Sequence, residues 1–477
     1  MFSHTHAQRH ETLPEDNDSG STLSPSAATP NPHEAHFTQS DGNLDEVAAP
    51  PPVYDPSEKS TRQEGYLENR RSEDDRNSQL RHWEAEPEPH QETDKSAGKR
   101  LFSKVSRTTC IVCYLVVFSL VGTLLRVAIE CLTFYPGSPV NTSVLWANVG
   151  GSLVMGFLSE DQELFCFEEV EASIPESERQ DGARRAAHLT AHKKTIPLYI
   201  GLTTGFCGSL TSFSTFIRDV FLALVNDLPV PVGPYADISL YGSAPVGTRA
   251  PNGGFSFMAL VAVLFTEIGL SLAGLILGAH IAIGLSAWTP SLPQHLLRKI
   301  LDPVVVAMAC LSWATIICLV ILLPGHSKQS ALWSAEVWRG PVLFSLVFAP
   351  VGCLARFFVS LKLNGRIASF PLGTFVVNVG GTMVLGMAYS LQHASISAAS
   401  LGGGSFIGCQ VLQGIMDGFC GCLTTVSTWV LELSDLRRRH AYLYGGLSVA
   451  VALCALVAEI GSLKWTHGLV IPSCFAQ

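Results

Sequence analysis

From Cys110 onward the chain alternates long apolar runs with short polar connections, whereas the residues before it contain no apolar run of any length. A helix crossing the ~30 Å hydrocarbon layer needs ~20 mostly apolar residues. Nine runs approach that length: 110–131, 141–158, 196–225, 255–287, 304–323, 342–361, 372–391, 411–433 and 441–463. The second and seventh are Gly-rich and only just long enough, and the third and eighth are interrupted by Gly, Thr and Ser. Polar or unwound backbone at membrane depth is tolerated where it lines a cavity or is buried in protein, so functional chemistry is expected in these segments. The expected fold is an all-α polytopic membrane protein of nine spans behind a disordered N-terminal tail.

Charge sharpens this division. Of 477 residues 15% are charged and the formal net charge is −9. Residues 1–98 hold 20 acidic and 8 basic groups, which leaves 20 acidic and 23 basic groups in the remainder. So few charges exclude an ordinary soluble enzyme, and the absence of a basic face removes nucleic acid as a partner. Lipid surrounds the body. The tail is rich in Pro, Ser, Glu and Asp and is expected to be disordered; His4, His6 and His10 are read as solvated. No cleavable leader is expected, because the first apolar run begins near Cys110. Placing the tail in the cytoplasm puts sixteen Lys and Arg on inside flanks against four outside (Arg249, Lys328, Arg339, Lys464), which supports nine crossings and an external C-terminus. The 13 cysteines lie mostly in apolar runs or on the inside, and are read as small buried residues, neither a metal site nor a disulfide framework.

An internal repeat organises the runs. Gly122-x3-Arg126 recurs as Gly352-x3-Arg356, and Asn148-Val-Gly-Gly-Ser152 as Asn378-Val-Gly-Gly-Thr382. The segment Gly205-Phe-Cys-Gly-Ser-Leu-Thr-Ser-Phe-Ser-Thr-Phe216 recurs as Gly418-Phe-Cys-Gly-Cys-Leu-Thr-Thr-Val-Ser-Thr-Trp429. Two four-helix units, 108–290 and 340–464, are thus joined by a single linker helix, 302–324. Four crossings plus an odd connector turn the second unit over, giving an inverted repeat with sites near the midplane.

The repeated residues suggest chemistry. Arg126 and Arg356 sit within apolar helices, where a charge is costly; they are either functional or end-of-span residues reaching for headgroups. Asn148 and Asn378 supply amides at depth, for a site or for an interhelical bond. If the helix unwinds at Gly208 to Thr211 and Gly421 to Thr424, free carbonyls could hold one hard monovalent cation. The hydroxyls of Ser212, Ser214, Thr215, Thr425, Ser427 and Thr428 can donate to an anion, and Phe213 and Phe216 offer the positive ring edge. Together these describe a path for a small, strongly hydrated anion.

In these motifs the chain resembles the CrcB/Fluc fluoride channel family, and in its fused form the two-domain eukaryotic fluoride exporters (FEX), over residues 108 to 463. The resemblance implies a passive, fluoride-selective channel in the plasma membrane that exports cytoplasmic fluoride and confers resistance. It further implies a functional monomer whose halves mimic a dual-topology dimer. Carried over, the pore residues are Asn148, Asn378, Phe213 and Phe216, with Thr374, Tyr444 and Ser448 on a polar track. A structural sodium ion would sit on the carbonyls of Gly208, Thr211, Gly421 and Thr424. Asp219 and Glu432 match an acidic position near a vestibule.

The halves diverge from the pattern in different places. The second half has Val426 and Trp429 where the first has Phe213 and Phe216, while the first has Val144 and Glu267 where the second has Thr374 and Tyr444. Two inequivalent pores are expected, one of them conducting poorly or not at all. The competing function is a proton-coupled transporter of fluoride or another small anion, with Glu267 as proton carrier. A membrane enzyme is disfavoured, since no nucleophile–base pair or paired carboxylates fall in the spans.

Overall fold

The computed structural model describes residues 95–133, 135, 138–140, 142–166, 182–229, 253–322, 339–367, 369–394, 406–470, 472 and 474. The acidic tail as far as residue 94 lies outside these residues, as do Arg179, Arg249 and Lys328 of the loop-charge argument. Every regular element is a helix. They are α1 (Lys95–Thr133), α2 (Leu145–Glu160), α3 (Gly182–Lys193), α4 (Pro197–Ile200, continuing through Gly201–Cys207 and Gly208–Leu210) and α5 (Phe213–Leu224). Then follow α6 (Gly253–Leu285), α7 (Gln294–Leu322) and α8 (Pro341–Leu363). After these come α9 (Leu372–His393), α10 (Phe406–Gly414, continuing through Ile415–Cys420 and Gly421–Leu423), α11 (Ser427–Asp435) and α12 (Arg438–Thr466). α1 begins inside the segment assigned to the tail.

Among the described residues, seven helices are long and apolar enough to cross a membrane: α1 from Arg107, α6, α7, α8, α9, α10 with α11, and α12. The two remaining runs fall short of that length for different reasons. α2 has 16 residues, roughly 24 Å of helix at 1.5 Å per residue, and the third run is cut into α4 and α5 by extended backbone at Thr211 and Ser212.

Burial sorts the helices by position. α7 buries little beyond Val305 and Ala309 and exposes Leu311, Ile321 and Leu322. α1 is largely enclosed, with Ile111, Tyr114 and Leu115 buried. The main core draws Phe213, Phe216, Ile217 and Phe221 from the first half and Trp429, Val430, Tyr444 and Leu456 from the second into one cluster. The halves therefore share a core.

Two polar features hold the framework. The amine of buried Lys193 donates to the carbonyls of Leu158 (3.1 Å), Ser159 (2.5 Å) and Asp161 (2.7 Å), closing the C-terminal end of α2, where unpaired carbonyls and the helix dipole favour a cation. The second feature corrects the reading of the cysteines. Cys409 and Cys474 form a disulfide across 65 residues; the other eleven cysteines form no disulfide. Spacing along the chain does not reveal this pair, because the residues after α12 fold back onto the start of α10.

Candidate functional site

Each half contains a helix that stops and restarts at the centre of the protein. α4 ends at Leu210, and Thr211 (φ −92°, ψ 150°) and Ser212 (φ −141°, ψ 113°) run extended into α5. α10 ends at Leu423, and Thr424 (φ −93°, ψ 156°) begins the passage to α11. The broken turn releases amides from helical bonding. The N–H of Ser212 is taken by Asn148 Oδ1, and that of Thr425 by Asn378 Oδ1, each at 2.9 Å. The carbonyls of Gly208 and Gly421, four residues earlier, thereby lose their regular helical donors. Glycine permits the close approach: a Cβ on Gly151 would collide with the methyl of Thr211, and one on Gly381 with the methyl of Thr424.

The two breaks touch reciprocally. Thr211 Oγ1 accepts from the N–H groups of Val426 and Ser427, both at 3.2 Å, and Thr424 Oγ1 accepts from the N–H of Ser214 at 3.0 Å. Each threonine thus caps the helix that restarts in the other half, in the manner of an N-cap residue. Within each half, Ser212 Oγ accepts from the Thr215 N–H at 3.3 Å and Thr425 Oγ1 from the Thr428 N–H at 3.5 Å.

The arginines obey the same exchange. Arg126 donates to the carbonyl of Asp417 in the second half, and Arg356 to that of Thr204 in the first at 2.5 Å. Their guanidinium groups occupy the space where side chains of Gly421 and Gly208 would stand. Both arginines are buried, at 1% and 3% exposure, so they act inside the protein and do not reach for headgroups. An interaction of residue i with j matched by j with i is the signature of a two-fold relation.

Two polar tracks flank this centre. The second runs along α9 and α12, where Thr374 Oγ1 donates to Glu432 Oε1 (2.8 Å) and the Tyr444 hydroxyl to Glu432 Oε2 (2.7 Å). Asn378 Nδ2 donates to the carbonyl of Thr425 at 3.1 Å, and Ser448 Oγ turns back to the Tyr444 carbonyl at 2.7 Å. α5, which carries both phenylalanines, packs against α9 and α12. The Phe213 ring meets Phe216 and Trp429 edge-on, at 5.7 and 5.2 Å between centroids.

The first track runs along α2 and α6, packed against α11 with Val426 and Trp429. Here Asn148 Nδ2 donates to Glu267 Oε2 at 3.0 Å, and both residues are buried. The other carboxylate oxygen of Glu267, Ser271 Oγ and Trp429 Nε1 are buried without hydrogen-bond partners. Asp219 pairs with Arg218 at 2.8 Å.

A cavity of about 600 Å³ reaches Thr374, Thr425, Thr428 and Glu432 of the second track, with Arg356 and Tyr199 in its wall. Some participants carry no signal in the repeat. Asn364 holds the start of α9 by accepting from the Thr374 N–H (3.0 Å) and donates to Glu432 (3.4 Å); it precedes the seventh run in what reads as a loop. Arg218 and Asp417, with Gln413 donating to the latter at 2.7 Å, likewise have no polar counterparts of the same kind in the other half. Among the described residues no group of three or more His, Cys, Asp or Glu converges on a metal site.

Comparison with known proteins bears on this arrangement. The CrcB-like protein family, described as Camphor Resistance (CrcB), matches residues 113–246 and 343–460. The chain is 47% identical over 406 residues to fluoride export protein 1 of Neurospora crassa, covering 81% of this chain and 73% of that protein. It is 32% identical to fluoride export protein 1 of Candida albicans, covering 80% and 87% respectively. The fluoride-specific ion channel FluC of Acinetobacter baylyi matches over 112 residues at 33% identity, 24% of this chain and 79% of that protein. No solved structure matches the chain.

Proposed function

The chain belongs to the CrcB-like family, and from that membership we propose that it is a passive, fluoride-selective channel that exports cytoplasmic fluoride and confers resistance to it. The observation that carries the reading is a track of amide and hydroxyl groups, gathered at one end on the Glu432 carboxylate, beside reciprocal helix breaks, in a relative of fluoride export proteins. Fluoride is small and strongly hydrated, so a path through the protein must replace water with closely spaced donors. Amide, hydroxyl and the positive edges of aromatic rings do this and hold the ion less tightly than a cationic side chain in direct contact would. An inside-negative potential drives an anion outward by ~2.3 kcal/mol per charge per 100 mV.

In this reading the protein lies in the plasma membrane as a functional monomer with nine crossings, its tail inside and C-terminus outside, and the 340–464 unit inverted relative to 108–290 about the linker 302–324. The reciprocal threonine and arginine contacts support the inversion. Sodium fits the donor set at the breaks: carbonyl oxygens are hard ligands, and the diverted Ser212 and Thr425 amides leave those of Gly208 and Gly421 without regular helical donors. The carbonyls of Gly208, Thr211, Gly421 and Thr424 would hold it, and it would supply a fixed positive charge near the anion path.

The two tracks are inequivalent, and the second is the conducting one. It combines Asn378, Thr374, Tyr444 and Ser448 with the phenylalanines of α5, whereas the first has a carboxylate on its asparagine and Val144 in place of a hydroxyl. A second reading draws on Glu267, a buried membrane carboxylate with one unpartnered oxygen, which would serve a proton-coupled transporter. Purified protein in liposomes distinguishes them under clamped voltage. The channel gives fluoride current that reverses at the fluoride equilibrium potential, and uphill fluoride accumulation driven by a proton gradient would overturn it in favour of the transporter.

A further inference from the structure

The cysteines divide by position. Cys110 and Cys113 lie one turn apart near the start of the membrane-spanning part of α1, and both remain thiols. Cys409, fully buried at the start of α10, is bonded to Cys474 beyond the end of α12, with Cα atoms 5.8 Å apart. The bond is one of several contacts that bring the residues after α12 onto α9 and α10. The N–H of Val470 donates to the carbonyl of His393 (3.0 Å), the last residue of α9, and the N–H of Cys474 to Cys409 Sγ (3.3 Å). Gln392 Nε2 donates to the carbonyl of Cys409 (3.2 Å) and to Gln413 Oε1 (3.1 Å). Nearby, Lys464 pairs with Asp227 of the first half.

We propose that Cys409 and Cys474 form an external latch, closed by oxidation during passage through the secretory lumen, which holds the C-terminal segment across the outer ends of α9 and α10. The side rests on the topology proposed above, and the latch itself goes beyond that reading. Disulfides form and persist in oxidising compartments and stay reduced in the cytosol, which matches one bonded pair at the C-terminal end and free thiols at the start of α1. In the closing step each thiol loses a proton and one S–S bond forms. The two electrons pass to the disulfide of a lumenal dithiol–disulfide oxidoreductase, which leaves as its dithiol. The latch fixes the end of α9, the helix that carries Thr374 and Asn378, and so sets the outer exit of the second track.

The test uses the full chain in native membranes, alkylated without reduction and mapped by mass spectrometry. A linked peptide pair containing Cys409 and Cys474, lost on treatment of intact cells with a membrane-impermeant phosphine, is expected. Alkylation of both cysteines in the unreduced protein would overturn the latch, and a linked pair that resists the external phosphine yet yields to a permeant thiol would overturn its placement outside. Hydrogen exchange at Val470 should quicken at least tenfold in Cys474→Ser, and an unchanged rate would show that the bond does not hold the segment. Fluoride efflux of the unaltered chain is measured on the same preparations; its absence would count against the channel and leaves the disulfide map unaffected.

Discussion

At the scale of single residues, the arrangement turns on how buried carboxylates and amides are occupied. Glu432 accepts from Tyr444, Thr374 and Asn364, a set of donors that compensates a carboxylate removed from water. Tyr444→Phe deletes the 2.7 Å bond to a buried carboxylate, so about 1–3 kcal/mol of stability should be lost. The check is a lowered midpoint of thermal unfolding in detergent, with the isosteric Thr374→Val as a comparison at the other oxygen. Glu267, which stands in the first half where the second has Tyr444, accepts from Asn148 at one oxygen, and its other oxygen is buried without a hydrogen-bond partner. Both asparagines were legible because the motif around them occurs twice and places an amide in an apolar run. Asn364 was not, since it occurs once and sits where a polar loop residue is unremarkable.

Helix ends supply the next scale, because both the break and the support of the site are capping problems. Thr211 and Thr424 each cap the restarting helix of the opposite half, and removing an N-cap oxygen costs about 0.5–2 kcal/mol. Thr211→Val and Thr424→Val should each lower the unfolding midpoint, and the double variant should lose less than the sum, since Thr211 also bonds the hydroxyl of Thr425, the residue next to Thr424. Strict additivity would show two independent caps. Lys193 works at the cytoplasmic end of α2 in the proposed topology. Burial pushes its amine down to about 8, below the ordinary lysine value of ~10.4. Between those values the unfolded chain binds the proton more readily than the folded one, so this group's contribution to stability rises with pH from about 8 to 10. The difference in unfolding midpoint between the unaltered chain and Lys193→Met should therefore widen from pH 7 to pH 9.5. The break itself was readable from Gly, Thr and Ser in an apolar run; Lys193 was read only as a loop charge reporting topology, because nothing in the sequence brings it to the end of α2.

For the whole molecule, the feature on which the proposed conduction turns is that each track is composite. α5 packs on α6 of its own half and also on α9 and α12 of the other, while α11 packs on α12 of its own half and also on α2 and α6. The helix that carries the phenylalanines of the first half therefore lies against the helix that carries Asn378 of the second. That crossing explains why the sequence led to an expectation of two unequal pores without saying which would conduct: substitutions in both halves converge on one track only after the chain has folded. Asn378→Ala should reduce fluoride efflux from liposomes by tenfold or more, with Asn148→Ala staying within about threefold of the unaltered protein. Equal losses would mean that both tracks conduct or that the asparagines serve only to pin the breaks. The nine apolar runs were likewise legible as runs, but α2 and the α4–α5 break show that length alone does not define a crossing.

The reciprocal caps also impose an order on synthesis. The amide at the start of α5 finds its partner hydroxyl 210 residues later in the chain, and at ~5–20 residues per second the ribosome takes roughly 10–40 s to deliver it. During that interval the first half has Asn148 to steady its break at Ser212 but no oxygen from Thr424 for Ser214. Until then α5 is capped by Ser212 alone, and the joint between the two breaks closes only once the second half has been made.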